Sequence, residues 1–222
     1  MTQSEVSPWL TPITYFLLGR IILPLYFGRI YIQGQENLPS SGAMILAPTH
    51  RSRWDPILLG YGAGRQVTGR DLWYAVLADQ TIGLQGWFVR RLGGFPIDRD
   101  RPTTASIRRS VELLQNQKTL VLFPEGHIFL DNEIHPIQPG VARIALYAAT
   151  DESSLDLSVV PVSIRYEHPA PLPWRCGVRV KFGSPLRIKD YQGGSTKQAA
   201  KKLTADLESA LKVLHQSPYE KV

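Results

Sequence analysis

The chain has 222 residues, enough for one α/β domain with a sizeable core. At 43% hydrophobic and 20% charged, with 18 Gly and 17 Pro scattered along it, it is not collagen-like, low-complexity or largely disordered. One cysteine, Cys176, excludes an internal disulfide and a thiolate zinc site. The formal charge of +6 is uneven: residues 1–110 hold twelve arginines, no lysine and seven acids, whereas residues 111–222 hold thirteen basic and twelve acidic residues. Arginine without lysine favours two-pronged contacts with phosphate or carboxylate, so anionic lipid, a phosphorylated substrate or nucleic acid are the partners to weigh.

Residues 9–32 form the one strongly apolar stretch. As a single helix it would be about 36 Å long, but Arg20 falls in its middle and Pro24 would kink it, and an arginine at the bilayer centre costs at least about 2.5–3.5 kcal/mol. It lacks the basic start and small-residue cleavage site of a signal peptide. The expected arrangement is one bent helix, or two short ones, in the plane of the membrane interface, with Arg20 and Arg29 reaching the head groups. Residues 1–32 are thus expected to form an interfacial anchor and residues 33–222 a catalytic domain.

Beyond residue 32, AMILAP (43–48), LWYAVLA (72–78), TLVLF (119–123), LSVVPVSI (157–164) and GVRVKFG (177–183) read as short buried strands. Between them, residues 103–116, 140–150 and 196–215 carry apolar side chains at helical spacing. This alternation predicts an α/β fold with a largely parallel central sheet covered by helices on both faces. Segments 166–175 and 191–195 read as exposed loops.

Four groups of residues are candidates for chemistry. In THRSRWDP, His50 and Asp55 are five apart, an offset of about 140° on a helix, so they can meet only across a turn; there the carboxylate would fix the imidazole tautomer of a general base. LGGFPIDRDR (92–101) offers Arg99 as a phosphate ligand behind two glycines. FPEG (123–126) puts Glu125 and Gly126 at the end of a buried strand, where open α/β sheets bind ligands. Pro161 interrupts an apolar strand, which predicts a bulge or an edge position. There is no Gly-x-Ser-x-Gly elbow and no partnered cysteine, so a base at His50 would activate a substrate hydroxyl or water directly. A competing cluster, His127, Asp131, Glu133 and His135, could hold a metal and support metal-assisted hydrolysis; a non-catalytic protein binding anionic membrane, or least of all nucleic acid, is the other alternative.

In this order and at these separations the four groups resemble the glycerophospholipid acyltransferase family typified by 1-acyl-glycerol-3-phosphate acyltransferases, over most of residues 30–190. The resemblance implies His50 as base and Asp55 as its partner, Arg99 gripping the acceptor phosphate, Glu125 and Gly126 positioning the glycerol part, and Pro161 near the acyl donor. It implies acyl transfer from acyl-CoA or acyl-acyl carrier protein to a lysophospholipid hydroxyl at the cytoplasmic face of a membrane, without metal, cofactor or nucleic acid. The chain departs from the family where His127, Ile128 and Phe129 replace the usual Thr-Arg-Ser after FPEG, and where Pro96 replaces an aliphatic residue. Arg51, Arg53, Arg101, Arg108 and Arg109 are candidates to restore the lost charge.

Overall fold

The computed structural model describes residues 5–97, 103–150 and 155–218. Eight strands, β1 (Ile30–Gln33), β2 (Ala43–Pro48), β3 (Leu72–Leu77), β4 (Gly94–Ile97), β5 (Thr119–Val121), β6 (Leu157–Tyr166), β7 (Val178–Phe182) and β8 (Leu186–Arg187), form one sheet. Its order is β1-β7-β6-β2-β5-β3-β4, with β8 also paired to β6. The expectation of a parallel sheet holds from β6 to β4, whereas β7 and β8 run antiparallel to β6. The reason is the connection: no helix lies between β6 and β7, so the chain turns back on itself instead of crossing over. The sheet is therefore mixed and mostly parallel.

Sequence pattern follows position in the sheet. All six residues of β2, flanked by β5 and β6, are buried, which is why AMILAP reads as an unbroken apolar run. In β7, near the edge, burial alternates, and Arg179 and Lys181 occupy the less buried positions.

Helices cover both faces. On one, α3 (Asp55–Ala63) packs with Leu23, Phe27, Met44, Leu46, Val160 and Phe182. On the other, α6 (Thr104–Gln115), α7 (Gly140–Thr150) and α8 (Thr196–Gln216) bury Leu114, Ala145, Leu203 and Leu207 against Ile45 and Leu120. The connection from β3 to β4 through α5 (Gly83–Arg91) progresses in the same direction as that from β2 to β3, so right-handed crossover puts α5 on the α3 face. The short helix Arg65–Thr68 (α4) follows α3.

The apolar amino-terminal stretch divides. Helices α1 (Leu10–Leu17) and α2 (Leu23–Tyr26) join through one π-helical segment, Leu18–Ile22, into a continuous arm. Residues 30–32 of the stretch leave it and enter β1, at the edge of the sheet. The arm docks through small contacts: Gly19 lies against Tyr61, where an added Cβ would come within 3.2 Å of the ring, and Leu23 and Phe27 are buried. Its outer side leaves Trp9, Ile13, Phe16, Leu17, Ile21 and Leu25 exposed. Among the described residues no helix is long and apolar enough to cross a membrane.

Pro161 is neither at a bulge nor on an edge strand. It pairs with Ala47 of β2, and on its other side β6 changes partner, from β8 at Ser158 and Val159 to β7 from Val162 onward. The Pro161 carbonyl accepts from Gly183 N on that side. A strand residue's N and O point the same way, so the missing N–H is the one that would answer Gly183, and the loss is confined to the terminal bond of the β7 ladder, at the break.

Candidate active site

Strands β2, β3, β4, β5 and β6 run the same way, so their carboxyl ends share one edge of the sheet. The loop after β2 supplies His50 and the turn after β5 supplies Glu125. Thr49, fully buried, fixes the departure point: its Oγ1 donates to Ile164 O at 3.2 Å and accepts from Ile164 N at 2.9 Å, which ties the loop to β6.

His50 and Asp55 meet across the turn, with Nδ1 2.8 Å from Oδ2. Residues 51–54 wrap around the carboxylate. Oδ2 also accepts the backbone N–H groups of Arg51 at 2.6 Å and Ser52 at 2.8 Å, and Oδ1 accepts the Tyr166 hydroxyl at 2.6 Å. Asp55 is fully buried at the start of α3, followed by Pro56; a carboxylate there is favoured by the helix dipole and loses no intrahelical bond to the proline. Burial and the neighbouring Asp55 hold the Tyr166 phenol far above its usual range, so it stays a donor. A carboxylate met by three other donors is an anionic acceptor, which makes His50 Nδ1 the protonated nitrogen and leaves the Nε2 lone pair for a substrate proton. Phe123 stacks on the His50 ring at 3.8 Å between centroids and 24° between planes, which fixes the ring's orientation.

Glu125 faces inward. Only 2% exposed, it accepts Arg51 in a two-pronged pair, Nη1 to Oε2 at 2.6 Å and Nη2 to Oε1 at 2.9 Å, together with the backbone N–H groups of His50 at 2.9 Å and His135 at 3.0 Å. Its oxygens are thus engaged by the protein, and it acts on the site by holding the His50 backbone. Gly126, at φ +75°, closes the turn with its N–H on Phe123 O at 3.2 Å. Arg51 also donates to Glu133 O. Being consumed by Glu125, Arg51 does not restore the charge lost after FPEG. Arg109 pairs with Glu112 at 3.0 Å and lies over Trp73, whereas Arg53 and Arg108 are exposed.

The structure brings His50, Asp55, Glu125 and Gly126 together. Pro161 lies one strand away, buried; strand alternation turns it toward α8 with Ser163. Arg99 and Arg101 lie outside the described residues. The metal cluster considered from sequence is not assembled: Asp131 pairs with His135 Nε2 at 3.0 Å, His135 stacks on Phe129, and among the described residues no three His, Cys, Asp or Glu side chains group to hold an ion. The Glu133 N–H and His135 hold the Asp131 carboxyl below its usual range.

Three contributors escaped sequence reading: Tyr166, Phe123 as a stacking surface, and His215. The last, buried near the end of α8, accepts the Ser163 hydroxyl at Nδ1 (2.8 Å) and donates from Nε2 to Asn132 O (2.7 Å), pinning the loop that runs on to Glu133 and His135. Burial lowers its pKa to about 4, which keeps it neutral.

Comparison with known proteins identifies the family and the fold. A family model described as Acyltransferase matches residues 29–165. The chain is 26% identical over 184 residues to 1-acyl-sn-glycerol-3-phosphate acyltransferase of Streptococcus pneumoniae, which spans 80% of this chain but only 64% of that protein. It is 25% identical over 199 residues to the enzyme of the same name from Bacillus subtilis, covering 88% of this chain and 92% of that one. The crystal structure of the 1-acyl-sn-glycerophosphate acyltransferase PlsC from Thermotoga maritima superposes with a TM-score of 0.59 at 21% identity, over 89% of this chain and 78% of that one, a likeness of fold. With a family model spanning more than half its length, and the His50–Asp55 pair assembled inside that span, the chain belongs to the acyltransferase family.

Proposed function

We propose that this acyltransferase moves a fatty acyl group from a thioester, acyl-CoA or acyl-acyl carrier protein, to the free hydroxyl of 1-acyl-glycerol-3-phosphate. The observation that carries the reading is the 2.8 Å contact between His50 Nδ1 and an Asp55 carboxylate saturated with donors. His50 Nε2 takes the proton of the acceptor hydroxyl as its oxygen attacks the thioester carbonyl. Asp55 stabilises the imidazolium that forms. The tetrahedral oxyanion then collapses, the C–S bond breaks, and the departing thiolate receives the proton from Nε2. No covalent acyl-enzyme and no metal or cofactor takes part.

In this reading Arg99 grips the acceptor phosphate. Glu125 and Gly126 set the position of the glycerol part through the turn they build, and Pro161 acts through the strand that carries Tyr166. Residues 1–32 anchor the domain of residues 33–222 to the cytoplasmic face of a membrane, with the exposed apolar side of α1 and α2 in the interface.

The test is product mass spectrometry with purified protein, a panel of lysolipid acceptors and both thioester classes. His50→Ala should lower turnover by roughly 10²–10⁴ with the fold intact by circular dichroism. Near-normal turnover in that variant removes the mechanism, and preference for a non-phosphorylated lipid alcohol removes the acceptor.

A further inference from the structure

We infer that the segment from Ile82 to Arg91 is a second membrane contact, one that inserts into an anionic leaflet beside the catalytic edge and fixes the angle at which that edge meets the lipid. The inference rests on the reading of α1 and α2 as a membrane-facing arm, and it concerns a part of the chain far from that arm in sequence.

Ile82 is 72% exposed and Leu84 77%, more than any large apolar residue of the arm, where Leu25 reaches 59%. Between them Gly83 adopts φ +67°, a left-handed conformation that presents both side chains at the tip of one turn. An added Cβ at Gly83 would meet nothing within 4 Å, so glycine serves the turn there and not a close packing contact. One turn further on, Trp87 and Phe88 are also exposed and pack edge to face at 4.9 Å. Ile82 and Leu84 have little to cover them among the described residues, Trp87 and Phe88 extend the same surface while partly exposed, and in water this surface forfeits burial energy.

Position and charge identify the occupant. The tip follows β3, whose carboxyl end lies on the same sheet edge as that of β2, with only β5 between them, a separation of about 10 Å at the usual strand spacing. The tip thus follows a strand that ends on the same edge of the sheet as the one leading to His50. Residues 82–91 contain Arg90 and Arg91 and no acid, and residues 9–29 contain Arg20 and Arg29 and no acid; Asp79, just before the tip, is the nearest acid in the sequence. Arg91 lies over the Trp87 ring at 5.6 Å, and Arg90 donates to Thr81 O. Apolar side chains at the start of α5 and cations at its end match a helix entering a leaflet tip first, with guanidinium groups at the phosphates. A second copy of this chain fits less well, since a two-fold contact through this patch would bring arginines against arginines.

One anchor lets a domain swing about it. Two, the arm and this tip, define a plane, and the edge bearing His50 is then held against the head-group layer, where the hydroxyl of a lysolipid resides.

Full-length protein is to be assayed for binding to phosphatidylcholine vesicles with and without phosphatidylglycerol, comparing Ile82→Ser/Leu84→Ser with Phe16→Ser/Ile21→Ser. A polarity-sensitive fluorophore on Leu84→Cys, in a Cys176→Ala background, reports insertion directly through quenching by lipids brominated on the acyl chain. The tip variant should partition about tenfold to a hundredfold less to the anionic vesicles and keep its rate on a short-chain soluble acceptor, and the probe should be quenched. If the arm variant loses binding while the tip variant binds normally and the probe stays in water, the inference falls and the arm survives. If wild-type protein binds neither vesicle, both readings fall. If the tip variant turns a dimer into a monomer without a change in partitioning, the patch belongs to a second copy and the inference is overturned.

Discussion

The arm formed by α1 and α2 and the carboxyl-terminal helix α8 are both rich in apolar residues at helical spacing, yet they are built in opposite senses. In α8, Ala200, Leu203, Leu207 and Leu211 all face the core, and Lys197, Lys201, Lys202 and Lys212 face water. Ser195 caps its start by accepting from Gln198 N. In the arm the core-facing side is thin and the outward side is the apolar one, while its start is tied down by Ser7, whose hydroxyl accepts from Leu10 N at 3.3 Å. The apolar positions of a helix do not reveal which side is buried; the polar positions do. α8 is stabilised by the protein's own core, whereas the arm presents an outer surface matched to something less polar than water.

The largest test of that contrast is core truncation. Leu207→Ala should cost about 2–5 kcal/mol of unfolding free energy, whereas Phe16→Ala on the arm should stay within about 0.5 kcal/mol in vesicle-free buffer. Equal losses in urea denaturation would mean that the arm's outer side is packed after all. A somewhat smaller effect concerns His215, near the end of α8. Because burial depresses its pKa to about 4 from 6.5, the folded state favours the neutral ring. That contribution is complete above about pH 6.5 and is lost as pH falls through the window toward 4, by an amount on the order of 2–3 kcal/mol. His215→Gln keeps a donor for Asn132 O and an acceptor for Ser163, so its stability should fall less steeply over the same window. An unchanged slope would assign the acid sensitivity to other groups. The smallest effect is at the caps. Ser195→Ala should lower the melting temperature in proportion to about 1 kcal/mol, whereas Trp9→Ala, at an exposed position, should leave it nearly unchanged and act on vesicle binding instead.

How much of this was legible beforehand follows from the range of the interactions. The runs 43–48, 72–78, 119–123, 157–164 and 177–183 all became strands, and the three long helices fall within a residue of their expected limits, because burial on two faces or one writes itself into local sequence. β1 was hidden because IYIQ continues an apolar helix without a break. β4 was hidden because GFPI is four residues with a proline, which the sheet accommodates by placing it at the edge. In the site, the five-residue spacing of His50 and Asp55 told of a turn. Tyr166, 111 residues from Asp55, and Arg51, 74 residues from Glu125, depend on the alignment of strands and on which loop ends meet at one edge, and no local pattern encodes either. Arg51 looked like a spare cation because its partner is invisible from its neighbours in the chain.

Pro161 has a consequence for folding fidelity. A continuous antiparallel partner sliding along β6 would need an N–H from every second residue on that side, and Pro161 offers none. The break between β8 and β7 is therefore pinned to a single position. A slip by one residue would turn the β7 side chains Val178, Val180 and Phe182 from the interior to its other face. The same strand carries Ile164, which clasps Thr49, and Tyr166, which holds Asp55. An imino acid that donates nothing thus serves as a positional marker, a fixed origin from which the strand beside the His50–Asp55 pair is counted.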